Sequence, residues 1–85
     1  MSIKSQPFGI NYYYKGFDME IFIERLKELR KEKNISLQTL AKAIGVSDVA
    51  ISRWENGLRI PNIISLVALA QFFGVTTDYM LGLED

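Results

Sequence analysis

The chain of 85 residues contains neither cysteine nor histidine. Without cysteine there is no disulfide and no thiolate nucleophile, and without histidine the commonest metal ligand and general base are missing too. The carboxylates are scattered, and the six glycines lie singly instead of forming a phosphate-binding loop. We therefore expect no enzyme, no metal and no other cofactor, but a protein that acts by binding.

Long apolar runs are also absent. The longest run is far too short to span a bilayer, and the amino terminus lacks the basic-then-apolar order of a secretory signal. We therefore expect a cytoplasmic protein, which the lack of cysteine suits. A chain of this length fits one domain with a single core and leaves no room for a second, ligand-sensing domain.

The net charge is zero, but its distribution is uneven. Residues 1–60 carry all ten basic residues against seven acids, hence +3, whereas residues 61–85 carry three acids and no base, hence −3. A basic amino-terminal part suits a surface that faces nucleic acid, because phosphates attract Lys and Arg. A solvated, charge-laced first helix would give part of the same asymmetry.

The most informative segment is LQTLAKAIGVSDVAISRWEN, residues 37–56. Its apolar residues recur at helical spacing around Gly45, which can adopt the positive φ of a bend, while the small Ala41 lets a second helix cross closely. Ser47 can cap that second helix. A generic corner between helices shares these features, but it does not require the WENG that follows at residues 54–57. The core positions predicted here are Leu40, Ile44, Val46, Ile51 and Trp54.

Helix 1 is predicted to begin after Asp18 as its cap, with Phe17 and Phe22 placed as a hydrophobic staple. It ends near Lys33, because Asn34 tolerates the left-handed conformation that terminates helices. Its core residues are predicted to be Phe22, Leu26 and Leu29. Residues 1–17 are rich in aromatics, Pro and Gly and carry no helix signal. They form an arm whose order the sequence leaves open, ahead of a domain spanning residues 18–83.

Two more helices follow the central pair. Pro61 and Asn62 restart the chain as a helix over residues 63–73, and Thr76 caps a last short helix that runs through Leu81. Because this region is apolar nearly all round, we expect a second apolar face that meets a partner chain. The residues expected to close the core are Leu66, Val67, Leu69, Ala70 and Phe73, and those expected to extend the outer face are Tyr79 and Met80.

The outward side of the second central helix carries side chains suited to base edges. Arg53 can pair with guanine through two hydrogen bonds, Val49 can touch a thymine methyl group, and Asp48 can accept from a cytosine amino group. Ser52 flanks them. Asp48 has a second explanation, because a carboxylate in the first turn meets the helix dipole favourably or repels phosphate.

Phosphate contacts are expected where helices begin, since free backbone N–H groups lie there, and in the loop after the second central helix. For the two serines capping is the default role, to which a phosphate contact would be added. Lys42 and Arg59 equally suit ordinary solvated charges. The residues predicted at phosphates are Ser36, Gln38, Ser47, Asn56 and Arg59.

The segments RLKELRKEKNIS, residues 25–36, and SDVAISRWENG, residues 47–57, closely resemble the Cro/repressor-type helix-turn-helix family, also called the XRE family. The resemblance covers about Met19 to Leu83 and implies an all-α, compact five-helix, lambda-repressor-like domain. It also implies a homodimer that binds an inverted-repeat operator in double-stranded DNA.

The same resemblance implies an ion pair between Arg30 and Glu55, which ties helix 1 to the end of helix 3. It also puts the side chains named above at base-reading and backbone positions. Helix 2, the first of the central pair, is predicted over about Leu37 to Ile44. One position departs from the family pattern. Where the family often has Gln directly after the cap of this helix, this chain has Leu37, with Gln38 one place later, so that contact is expected to be lost or shifted.

We therefore expect a sequence-specific DNA-binding transcriptional regulator, most simply a homodimeric repressor with helix 3, about residues 47–56, in the major groove. Two alternatives stay open. One is an antitoxin-like protein-interaction module that binds a partner protein through helices 4 and 5, which the zero net charge and Leu37 favour a little. The other is the amino-terminal domain of a longer regulator.

Overall fold

The computed structural model describes residues 19–84 and shows an all-α fold, with five helices and no strand in that range. The helices are α1 (Met19–Lys33), α2 (Leu37–Ile44), α3 (Asp48–Glu55), α4 (Ile63–Phe73) and α5 (Thr77–Met80). Every predicted boundary in this range agrees with the structure to within one residue. The predicted cap at Asp18, the staple residue Phe17 and the rest of residues 1–17 lie outside the described residues.

Local signals explain where the helices begin and end. The side chain before each of the last four helices accepts a hydrogen bond from the backbone N–H three residues on, at 2.8–3.0 Å. Asn34 ends α1 at φ 54° and Gly45 ends α2 at φ 79°, both in the left-handed region. The four capping residues are Ser36, Ser47, Asn62 and Thr76.

All five helices contribute to one core. Ala41 is 4% exposed, so α2 and α3 can cross with little more than a methyl group between them at this point. Each of the five helices contributes at least one large side chain that solvent does not reach. The six that are fully buried are Phe22, Leu26, Leu40, Ile51, Leu69 and Met80.

Two residues differ from the sequence-based expectation. Val67, predicted in the core, is 39% exposed. The inward residues of α4 follow the helical spacing Leu66, Leu69, Ala70, Phe73, and Val67 is offset from them by about 100° around the axis. Met80, predicted on the outer face, is fully buried, because α5 docks against both α1 and α4.

Arg25 fastens the carboxyl end of the domain to α1, which the sequence did not predict. Its guanidinium lies 4.2 Å from the centroid of the Tyr79 ring, a cation–π arrangement. The same group donates to the carbonyl oxygen of Tyr79 and, at 2.7 Å, to that of Glu84. Thr76 donates its hydroxyl to the carboxylate of Glu84. The turn after α5 is therefore held by side chains from two elements.

Candidate nucleic-acid interface

The orientation of α3 is set by its buried side. Ile51 is fully buried and Trp54 is 5% exposed, so the opposite side of the helix faces outward. Val49 on that side is 52% exposed, so its methyl groups are accessible to a partner. The four predicted base-reading residues all belong to α3, where Val49 and Arg53 are exposed on the side opposite the buried residues, while Ser52 and Asp48, in the first turn, are half-buried.

Two cations lie together at the carboxyl end of α3. Arg53 and Arg59 are both exposed and border one surface cleft with Val46 and Asn62. Within residues 19–84, no hydrogen bond or ion pair engages either guanidinium. Both are therefore free to meet an external anion or a base edge, which a guanidinium binds through two parallel hydrogen bonds.

The opposite end of α3 carries a link to α2. The side-chain amide of Gln38 donates from Nε2 to Oδ2 of Asp48, at 3.3 Å. Leu37, which stands where the family often has Gln, is half-buried and packs against the core instead of reaching outward. The structure therefore brings two predicted site residues, one from each helix, into direct contact.

The predicted phosphate-contact residues differ in how many of their side-chain hydrogen-bond donors are already used within the protein. The hydroxyl of Ser36 donates to Oγ1 of Thr39 at 3.0 Å while its oxygen caps α2. Asn56 uses its amide to donate to the carbonyl oxygen of Ser52, at 2.8 Å, and to Oγ of Ser52, at 3.4 Å. Ser47 caps α3, and among residues 19–84 no acceptor engages its hydroxyl proton. Ser47 is thus better prepared for a phosphate than the other two.

A bidentate ion pair fixes the end of α3 to α1. Arg30 donates to the two carboxylate oxygens of Glu55 at 2.7 and 2.8 Å and to the carbonyl oxygen of Ile35 at 3.1 Å. Glu55 is only 7% exposed. The hydrogen bonds to Glu55 raise the pKa of the Arg30 guanidinium, more than its partial burial lowers it. The pair has a structural role, since both charges are used up in binding each other.

Other kinds of site leave no trace in the described part of the chain. No group of three or more His, Cys, Asp or Glu side chains comes together there as a metal ion would require. Among the helices of residues 19–84, none has the length and apolar character needed to cross a membrane.

Comparison with known proteins gives a consistent result. A helix-turn-helix family model matches residues 26–80. The transcriptional activator BcrR of Enterococcus faecalis is 44% identical over 64 residues, which cover 75% of this chain and 31% of that protein. The transcriptional regulator AnsR of Bacillus subtilis is 42% identical over 62 residues, or 73% of this chain and 53% of that protein. The matched part of the chain therefore spans only 31% and 53% of the length of these two curated relatives.

Among solved structures, the chain is similar to the P22 c2 repressor crystallised in complex with a synthetic operator. The TM-score is 0.70 and the identity 38%, over 74% of this chain and 96% of that one. All three similar proteins are named for the regulation of transcription and none for catalysis.

Proposed function

The chain belongs to the Cro/repressor-type (XRE) helix-turn-helix family, and from this premise we propose that it is a sequence-specific regulator of transcription that binds double-stranded DNA. The observation that carries the proposal is the outward side of α3, where an exposed Val49 and an unpaired Arg53 stand on a helix fixed by Ile51 and Trp54. An α-helix fits the major groove, where each base pair presents a distinct pattern of donors and acceptors.

We assign base recognition to α3. Arg53 binds guanine at O6 and N7, Val49 packs on a thymine methyl group, and Asp48 accepts from an exocyclic amino group, with Ser52 beside them. Phosphate contacts hold the helix in register. These come from Ser47 and Arg59, supported by the predicted contacts of Ser36, Gln38 and Asn56.

The regulator acts as a homodimer on an inverted repeat. Side chains just before and at the start of α4 form a highly exposed apolar face, with Ile60 at 62%, Ile63 at 79% and Ile64 at 81% exposure. No charged residue occurs between Arg59 and Asp78, so two copies of this face can meet about a two-fold axis without like-charge repulsion. In the usual geometry the two reader helices then contact half-sites about 34–36 Å apart.

We propose repression as the outcome, with residues 18–83 as the DNA-binding domain and the cytoplasm as the compartment. The solved relative bound to an operator is named a repressor, and a dimer placed over a promoter blocks it by occupying the DNA. BcrR and AnsR are proteins of bacteria, which keep their DNA in the cytoplasm.

The proposal is tested with Arg53→Ala on a duplex that the wild-type protein selects. Loss of a bidentate guanine contact of about 1–3 kcal/mol should weaken specific binding roughly 5- to 150-fold and relax the preference at one base pair. The circular dichroism and melting temperature should change little, because Arg53 is exposed and makes no hydrogen bond or ion pair within residues 19–84. Lys31→Ala, which removes an exposed cation from α1, is the matched control. Unchanged binding of Arg53→Ala on every sequence would contradict this role.

A second candidate function is supported by the same apolar face of α4. Its exposed isoleucines also suit an antitoxin-like module that binds a different protein. This module would co-purify with a second small protein, and its DNA binding would show a salt slope near zero. A homodimer with a steep salt slope would favour the first function.

A further inference from the structure

We infer that Gln38 is a positioning residue for base recognition and that Gln38 and Asp48 together read a base with an exocyclic amino group, cytosine or adenine, in each half-site. The inference rests on the proposed binding of DNA by α3. The structural observation behind the inference is the hydrogen bond from Nε2 of Gln38 to Oδ2 of Asp48, which joins the first turns of α2 and α3.

The backbones at the amino ends of α2 and α3, which this bond connects, are already held in place by their caps. Ser36 and Ser47 cap the two helices, each with a hydrogen bond of 3.0 Å. Leu37 packs inward, and the next residue of a helix points about 100° further around the axis. Gln38 is therefore carried to the exposed side of α2, from which its amide reaches α3. With both backbones fixed, the side-chain bond restricts mainly the direction of the Asp48 carboxylate.

The chemistry of the two side chains decides which one donates the hydrogen bond and which one accepts it. A carboxylate only accepts, and a glutamine side chain donates only through its NH2 group, so Nε2 must face Asp48 and the amide oxygen must face away. Oδ2 is engaged, and Oδ1 of Asp48 remains as an acceptor at the amino end of α3. Without Gln38 the carboxylate could rotate toward the free N–H groups of its own helix, where the dipole favours it.

An acceptor held in this position discriminates between two classes of base. Cytosine N4 and adenine N6 present a donor in the major groove, whereas guanine O6 and thymine O4 present an acceptor there. A fixed carboxylate oxygen binds the first class and repels the second. A freely rotating carboxylate can avoid the repulsion, so the discrimination depends on Gln38 although the contact is made by Asp48.

The test compares base preferences of four proteins in selection from a random duplex pool: wild type, Gln38→Leu, Asp48→Ala and the double variant. Asp48→Ala identifies the base pair that Asp48 reads, since only that position loses its preference. In the wild type, this position should favour cytosine or adenine about tenfold over guanine or thymine. Gln38→Leu should reduce the ratio to about threefold or less and leave the other positions unchanged. The double variant should match Asp48→Ala.

A control separates positioning from a uniform contribution to affinity. Lys42→Ala removes an exposed cation from the same helix and should leave every base preference as it is. If Gln38→Leu weakens all sequences equally, Gln38 contacts phosphate only and the inference is wrong. It is also wrong if Gln38→Leu changes nothing, or if Asp48 reads guanine or thymine. If the folded wild-type protein selects no sequence, it is the proposed function itself that fails.

Discussion

Glu55 is the one charged side chain buried within residues 19–84. Its ion pair with Arg30 determines how much its burial costs in folding free energy. A buried carboxylate without a partner costs several kcal/mol, whereas a bidentate guanidinium compensates most of that cost. The raised pKa of Arg30 has the same cause, its hydrogen bonds to Glu55. Because the folded-state pKa is raised, the part of this stabilisation that comes from the charge on Arg30 is complete below the pKa of arginine in the unfolded chain and decreases as the pH rises through the folded-state pKa, in strong alkali.

Arg30→Ala should therefore lower the free energy of unfolding by about 2 kcal/mol. This is less than the 3–5 kcal/mol typical of a fully buried pair, because a quarter of the Arg30 side chain is exposed and water screens it. Replacing both partners, as Arg30→Met with Glu55→Met, should restore much of the stability, since no unpaired charge stays buried. Urea unfolding checks this. A double variant less stable than Arg30→Ala would contradict the account.

Contacts between side chains of different helices were the hardest feature to predict at this scale. The Arg30–Glu55 pair followed from a family resemblance, and the structure contains it. Neither the bond between Gln38 and Asp48 nor the anchoring by Arg25 left a signal in the sequence. Both depend on the distance between helices and on side-chain rotamers, which hydrophobic periodicity does not encode.

At the scale of elements, the helix-turn-helix unit depends on Ser47 in two separable ways. Its oxygen caps α3 by accepting a hydrogen bond from the backbone N–H of Ala50. Its hydroxyl group is proposed to donate a hydrogen bond to a DNA phosphate. Ser47→Ala should cost about 1 kcal/mol of stability and also weaken DNA binding. Ser47→Asp keeps a good cap, so its stability should stay close to that of the wild type, while its charge repels phosphate. Thermal melts and binding titrations of both variants measure the two effects, and equal DNA affinity of wild type and Ser47→Asp would contradict the phosphate role.

Helix boundaries were predictable because their causes are local. A serine that caps, a glycine or asparagine at positive φ and a proline ahead of α4 each act within one turn. The burial of Met80 was not predictable in the same way. Whether a side chain in a four-residue helix faces the core depends on how that helix docks, and α5 docks through contacts with α1 and α4.

At the scale of the whole molecule, the basic surface and the apolar face of α4 adjoin, because Arg53 and Arg59 line one cleft together with Ile60. The stretch from Ile60 to Thr77 is free of charge, while Arg53 and Arg59 lie just before it in the chain. A dimer formed through α4 would place the reader helix of each copy beside the interface. Such a dimer binds tightly only to an operator that carries two half-sites at the spacing of its reader helices, because both half-sites must be occupied together.

The variant Ile63→Glu/Ile64→Glu should therefore be monomeric in analytical ultracentrifugation and still folded, since both residues are about four-fifths exposed. Its affinity for a full inverted repeat should fall at least tenfold, whereas its affinity for a single half-site should change little. Leu83→Glu adds a charge at another highly exposed residue, outside α4, and should leave dimerisation intact. A double variant that remains a dimer would place the interface elsewhere.

The most direct test of the central claim is selection of duplex DNA from a random pool by the wild-type protein, with the affinity of the selected duplex measured against salt. The account predicts an enriched inverted repeat, with half-site centres about one helical turn apart and a logarithmic affinity that falls linearly with the logarithm of the salt concentration. A folded, helical protein that enriches no sequence would contradict sequence-specific DNA binding.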